Sequence, residues 1–251
     1  MTRFWATDLV RSTYDALERE VREAGHTPDE LALLSDPVNY YGRFLDPKDR
    51  AYSMAAVERN IVRALEFLGP GTGRTLLDIG CGLGMNAIVF ARAGYSVVGV
   101  DISKLAVGFA RKRVAWWSAN GASLDVTVIE ANFLALDLPT RFDAVFSMSA
   151  FAHICPVEAA TDRLASFLAM NGRAFLWDQS PWRHTAAVPH WTRMADSLRD
   201  AGLSPRVRSG TVFHRLCWRI APARPLLRLA ENVLAWSPRA GFTYAIEAVR
   251  K

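Results

Sequence analysis

The sequence has little cysteine, almost no lysine and no long apolar run. Its three cysteines, Cys81, Cys155 and Cys217, are far apart, odd in number and in no CxxC pair. That argues against a disulfide framework or a structural zinc site, and it fits a reducing compartment. No apolar stretch approaches the ~18 residues of a membrane span. The opening segment, MTRFWATDLVRSTYDALERE, is charged throughout and lacks the apolar core of a signal peptide. These absences lead to the expectation of a soluble, cytoplasmic protein.

Lysine is confined to Lys48, Lys104, Lys112 and Lys251, so arginine carries nearly all the positive side of a net charge of +5. An arginine-biased genome accounts for the usage but not for its unevenness. From Arg199 to Arg228 there are seven arginines and one acid, Asp200. Such a stretch suits an anionic substrate, nucleic acid or lipid head groups.

What is present is an ordinary globular composition. Of 251 residues, 51% are hydrophobic and 22% charged, which is enough for one domain with a decoration. Residues 1–68 lack strand signals. Apolar residues at helical spacing run through 6–24, and Thr27 with Pro28 reads as a fresh helix start. The segment 35–50 reads as a loop, and 52–68 as a helix stopped by GPGTG at 69–73. Beyond that stop, apolar runs at 75–79, 96–100, 125–129, 143–147 and 174–178 alternate with helical stretches at 84–93, 103–119 and 156–169. Apolar strands spaced by helices mean a parallel sheet covered on both faces. A helix at 190–202, the run PRVRSGTVF, a helical insert and the alternating edge-type strand GFTYAIEAV complete the chain.

The segment LLDIGCGLGMNAI carries Gly80, Gly82 and Gly84 between the first strand and the next helix. Glycine there supplies turn geometry and lets a ligand approach the main chain. The spacing is G-x-G-x-G, and the sixth position from Gly80 is Met85, so it is not the dinucleotide pattern G-x-G-x-x-G. Asp78 at the strand end repels a pyrophosphate and attracts an ammonium group, or else caps the turn. Asp101, ending the second strand, can accept from both hydroxyls of a ribose. The site reads as built for a nucleoside with a cationic tail and no phosphate.

With LLDIGCGLG, the segments VVGVDIS, FDAVFSMSAFAHI and MNGRAFLWD complete an ordered set of motifs. On these, the chain resembles the class I S-adenosylmethionine-dependent methyltransferases, well over 70–180 and in outline elsewhere. The resemblance implies an α/β fold: a doubly wound, seven-stranded, mostly parallel sheet with helices on both faces. A helical cap at 1–68 would precede a core at 69–251, with a lid-like insert at 221–238. It implies S-adenosylmethionine as cofactor, S-adenosylhomocysteine as product, and no metal. The cofactor set it implies is Asp78, Gly80, Cys81, Gly82, Asp101, Ile102, Asn132, Phe133 and Ser147. Gly80 and Gly82 would pass under the methionine part, Asp101 would hold the ribose, and Ile102 would flank the adenine. Asn132 stands where the family often has aspartate; its carbonyl still accepts from an adenine amino group. Cys81 also reads simply as a small buried residue.

A sulfonium methyl is already electrophilic, so the protein's tasks are alignment, exclusion of water and proton removal. His153, just beyond the fourth strand, is the candidate base, or else a residue that orients its loop. Tyr41 in the cap is a second catalytic candidate. Tyr40, Trp182, Arg183 and His184 are candidates for binding the acceptor. The enclosed, tryptophan-rich character favours a small apolar or aromatic acceptor. The alternative is a nucleic-acid methyltransferase using the arginines of 199–228. It lacks support at 147–152, which reads SMSAFA without the prolines of the base-amine enzymes.

Overall fold

The computed structural model describes residues 5–35, 46–179, 191–213, 215–234, 236–237, 241 and 243–251. Among these, seven strands form one sheet: β1 (Thr75–Ile79), β2 (Ser96–Asp101), β3 (Val126–Glu130), β4 (Phe142–Met148), β5 (Leu168–Gln179), β6 (Leu203–Ser209) and β7 (Thr243–Arg250). Their order is β3-β2-β1-β4-β5-β7-β6. The first five are parallel, and β7 runs antiparallel between β5 and β6. The doubly wound, mostly parallel sheet expected from the sequence is present. β5 begins well before 174, and the run PRVRSGTVF supplies most of β6.

Successive strand residues alternate between two apolar layers, as a pleated strand requires. Leu76, Phe146 and Phe175 face one layer, with α1 (Trp5–Asp15), α4 (Arg50–Leu68) and α5 (Met85–Arg92). Leu77, Val145 and Leu176 face the other, with α7 (Val157–Phe167) and α8 (Trp191–Asp200). Burial on both faces explains why β1 and β4 read as apolar runs without polar alternation.

The first expected helix is broken into α1 and α2 (Leu17–Glu23). α3 (Pro28–Ser35) starts as predicted: Thr27 Oγ1 accepts from Glu30 N–H at 3.3 Å, and Thr27 N–H donates to Glu30 Oε2 at 2.7 Å. This reciprocal pair is a capping box. The N-terminal helices join the same apolar layer as α4 and α5 through Val10, Tyr14, Leu17 and Leu34. A buried polar knot adds to the attachment. Glu20 accepts from Arg113 Nε at 2.6 Å and from Trp117 Nε1 at 2.9 Å, both on α6 (Lys104–Ala119). Arg113 also donates to the Leu83 carbonyl at 2.9 Å, which ties the knot to the glycine turn.

Candidate functional site

The turn after β1 is pinned to the end of β2. The N–H groups of Gly80 and Cys81 both donate to the Val100 carbonyl, at 2.8 and 3.1 Å. Gly80 has φ 68° and Gly82 φ 49°, in the left-handed region that glycine enters without strain. A Cβ on Gly80 would stand 2.2 Å from the Cβ of Ala150, so the turns after β1 and β4 touch. Among the described residues no atom lies within 4 Å of the place for a Cβ on Gly82, which leaves room for a ligand against its main chain. Gly80→Ala therefore combines a backbone penalty with a steric one. A loss of about 2 kcal/mol or more in urea unfolding is expected.

Two acids flank this turn. Asp101 Oδ2 accepts from Gly82 N–H at 2.9 Å, and Oδ1 accepts from Ser103 N–H at 2.9 Å. Each oxygen keeps a further lone pair for a ligand. Asp78 is fully buried, and its Oδ2 has no hydrogen-bond partner among the described residues. Burial, reinforced by the charge of Asp101, pushes the Asp78 carboxyl up to about 8. A buried carboxyl with an unused oxygen is a costly feature in an ordinary core. It fits a ligand that brings a cation.

Beside the turn lies a cavity of about 400 Å³, lined in part by Gly80, Asp101, Ile102, Asn132, Phe133 and His153. Ile102 is 72% exposed, an apolar side chain held where a flat ligand ring would cover it. Asn132 Oδ1 accepts from Leu134 N–H at 3.0 Å, so the side chain shapes the turn and retains its amide and one lone pair. Phe133 is buried, with its ring against Phe151 at 6.1 Å and Phe167 at 6.0 Å. Ser147 lies within the sheet and donates to the Ile79 carbonyl at 2.8 Å, bracing β1 against β4. Cys81 is buried beside Val107, Ala110 and Val128, and burial pushes its thiol upward, away from nucleophilic use.

His153 ends a 3-10 turn, Phe151–His153, and is exposed at the cavity rim with Cys155. The turn follows Ser149, whose φ of 56° is rare for a residue with a side chain. Ser149 N–H donates to the Trp177 carbonyl at 2.7 Å, which holds this conformation. Strain of that kind collects at functional sites. Asp178 supports the same turn, with Oδ2 accepting from Ala152 N–H at 3.2 Å.

Sequence reading did not anticipate the neighbours of Asp178. It stands opposite Tyr244 on β7, and Tyr244 stands opposite Ser209 on β6. Directly opposed residues share a face, so the three form a row. All are fully buried, and Asp178 Oδ1, Tyr244 OH and Ser209 Oγ lack hydrogen-bond partners among the described residues. Burial pushes the Asp178 carboxyl up to about 8, and burial with Asp178 nearby pushes the Tyr244 hydroxyl upward. Tyr40, Tyr41, Trp182, Arg183 and His184 lie outside the described residues. Among the described residues, no group of three or more His, Cys, Asp or Glu side chains is placed to hold a metal ion.

The strand order, the glycine turn and the acid closing β2 define a Rossmann-like fold of the class I methyltransferase type. Residues 76–172 match the family model described as a methyltransferase domain. It is 29% identical over 163 residues to the ubiquinone biosynthesis O-methyltransferase of Chelativorans sp. (strain BNC1), which covers 63% of each chain. It is 30% identical over 171 residues to methyltransferase GfsG of Streptomyces halstedii, covering 66% of this chain and 59% of that one. The chain thus spans less than two thirds of the length of these relatives. The solved magnesium protoporphyrin IX methyltransferase of Synechocystis PCC 6803, with bound S-adenosylmethionine, superposes with a TM-score of 0.57 at 19% identity. That superposition covers 90% of this chain and 99% of the other, and the likeness is one of fold.

Proposed function

We propose that the protein transfers a methyl group from S-adenosylmethionine to an oxygen, nitrogen or carbon atom of a small apolar or aromatic metabolite. The observation that carries this reading is the pair of acids at one glycine turn: Asp78 buried with an unused oxygen, and Asp101 at the cavity wall. When bound, S-adenosylmethionine supplies an electrophilic sulfonium methyl. Asp101 accepts from the ribose hydroxyls, and Asp78 faces the ammonium group. Ile102 covers the adenine, and Asn132 meets its edge. His153 takes the proton of a hydroxyl or amine acceptor. The curated relatives named above support methyl transfer as the reaction class.

The pH dependence of binding follows from Asp78. Its folded-state carboxyl near 8 lies above the ordinary value of about 4, so at neutral pH the ligand-free protein holds that proton. A cationic ligand requires the carboxylate, so binding releases a proton. Affinity is expected to rise with pH by up to about tenfold per unit below 8, then level off. Calorimetry in buffers of different ionisation enthalpy measures the release, and Asp78→Asn should abolish it. The same shift sets a stability trend. Between about 4 and about 8 the folded state keeps a proton that the unfolded chain has already lost, so this group's contribution falls as pH rises through that window.

The function itself is tested with methyl-labelled S-adenosylmethionine and an extract of the source cells. Label in small organic molecules is the expected result and delivers the product for identification. Label held by RNA or another polymer would replace this reading with the nucleic-acid alternative, which rests on the arginines of 199–228.

A further inference from the structure

Helix α9 (Arg224–Leu234) is inside out for a helix at an aqueous surface. Its inner side carries Arg224 and Glu231 together with Leu227, which packs on Tyr52, Ala55 and Trp218. Glu231 is fully buried, accepts from the N–H groups of Val212 and Phe213 at 3.2 Å, and pairs with Arg59 at 2.9 Å. Arg224 donates to the Trp218 carbonyl at 2.9 Å. Its apolar side faces water: Leu226, Leu229 and Val233 are 70%, 62% and 66% exposed. They recur at i, i+3 and i+7, which makes one stripe along the helix. Trp236 prolongs the stripe and is also exposed, and Ile220 precedes the helix in the same condition. The buried Glu231, with its three partners, fixes this orientation. Rotating the helix to hide the leucines would strand a charge.

The surroundings of the stripe are basic. The guanidinium groups of Arg208 and Arg206 lie 4.2 and 5.1 Å from the centre of the Trp236 ring. Arg228 on the helix is exposed, and the Arg219 side chain is partly so while paired with Asp49. The acid of this helix, Glu231, is spent inside. A second copy of the chain seated here about a two-fold axis would set these arginines against their own images, which disfavours self-association. A bilayer of anionic phospholipid meets both features, with hydrocarbon for the stripe and phosphate for the arginines. Tryptophan beside cations is suited to that boundary. No described helix is long and apolar enough to cross a membrane, so the attachment is peripheral.

We propose that α9, with Trp236, docks the protein on an anionic phospholipid bilayer, the leucine stripe entering the acyl boundary and the arginines meeting the phosphates. This surface stands apart from the methyl-transfer reading and survives or falls by itself. The test is flotation of the full chain with vesicles of phosphatidylcholine alone and of phosphatidylcholine with phosphatidylglycerol. The chain is expected to float with the anionic vesicles and to release as salt is raised. Leu229→Glu combined with Val233→Glu should lower the bound fraction at least about tenfold, and Arg228→Glu should lower it less. These positions are exposed, so the double variant should keep the wild-type melting temperature. Failure to float at low salt would overturn the proposal, as would undiminished flotation of the double variant. A wild-type dimer that the double variant dissociates would overturn it in favour of a second copy on this face.

Discussion

Replacing Asp101 with alanine is expected to weaken binding of S-adenosylhomocysteine about 10²–10⁴-fold, because two hydrogen bonds to a charged acceptor contribute about 1.5–3 kcal/mol each. The carboxylate is already oriented by Gly82 and Ser103, one to each oxygen. A ribose therefore meets a group that has no rotamer freedom left to lose. The substitution also frees the Gly82 N–H, so the turn loosens as the ligand contact is lost. Asp101→Asn separates the two effects. It preserves shape and one accepting oxygen, and should fall between wild type and alanine. Titration calorimetry with S-adenosylhomocysteine reads all three, with urea unfolding as the control for folding. Alanine binding at wild-type strength would remove Asp101 from the site.

His153→Ala is expected to act on the other half of the reaction. With the true acceptor, turnover should fall about 10²–10⁴-fold, the range for loss of a positioned proton acceptor. S-adenosylhomocysteine affinity should stay within about twofold, since the contacts assigned to the cofactor belong to other residues. His153 is exposed at the end of a short turn, so its loss leaves no hole in the core. That turn is held independently by Asp178 and by the left-handed Ser149. The split between turnover and affinity is therefore diagnostic. Unchanged turnover would make His153 a rim residue and move proton removal elsewhere in the cavity. A parallel loss of affinity would make it a cofactor contact.

The parts of this site legible in the sequence are those written locally. Gly80, Gly82, Asp78 and Asp101 sit at strand ends, and apolar runs mark strand ends well. Thr27 and Glu30 announced a helix start in the same way. Features made by register across antiparallel neighbours were hidden. Asp178, Tyr244 and Ser209 are far apart in the chain and meet only because β7 enters between β5 and β6. The left-handed Ser149 carries no sequence signal, since serine is unremarked in most loops. The insert at 221–238 read as a lid-like helix. A helical reading alone does not say which side faces inward, and the answer depended on the partners of Glu231.

The position of β7 also bears on how the chain is made. β6 precedes β7 in the sequence, yet among the described residues its sheet neighbour is β7 alone. Until residues 243–250 leave the ribosome, β5 presents an open edge and β6 has nothing to pair with. An open edge beside apolar residues such as Phe175 and Leu176 is a template for pairing between nascent chains. Slow translation through 210–242 would therefore prolong exposure of that edge, and a stop codon within it would release a sticky five-stranded fragment, whereas β7 seals the edge from within.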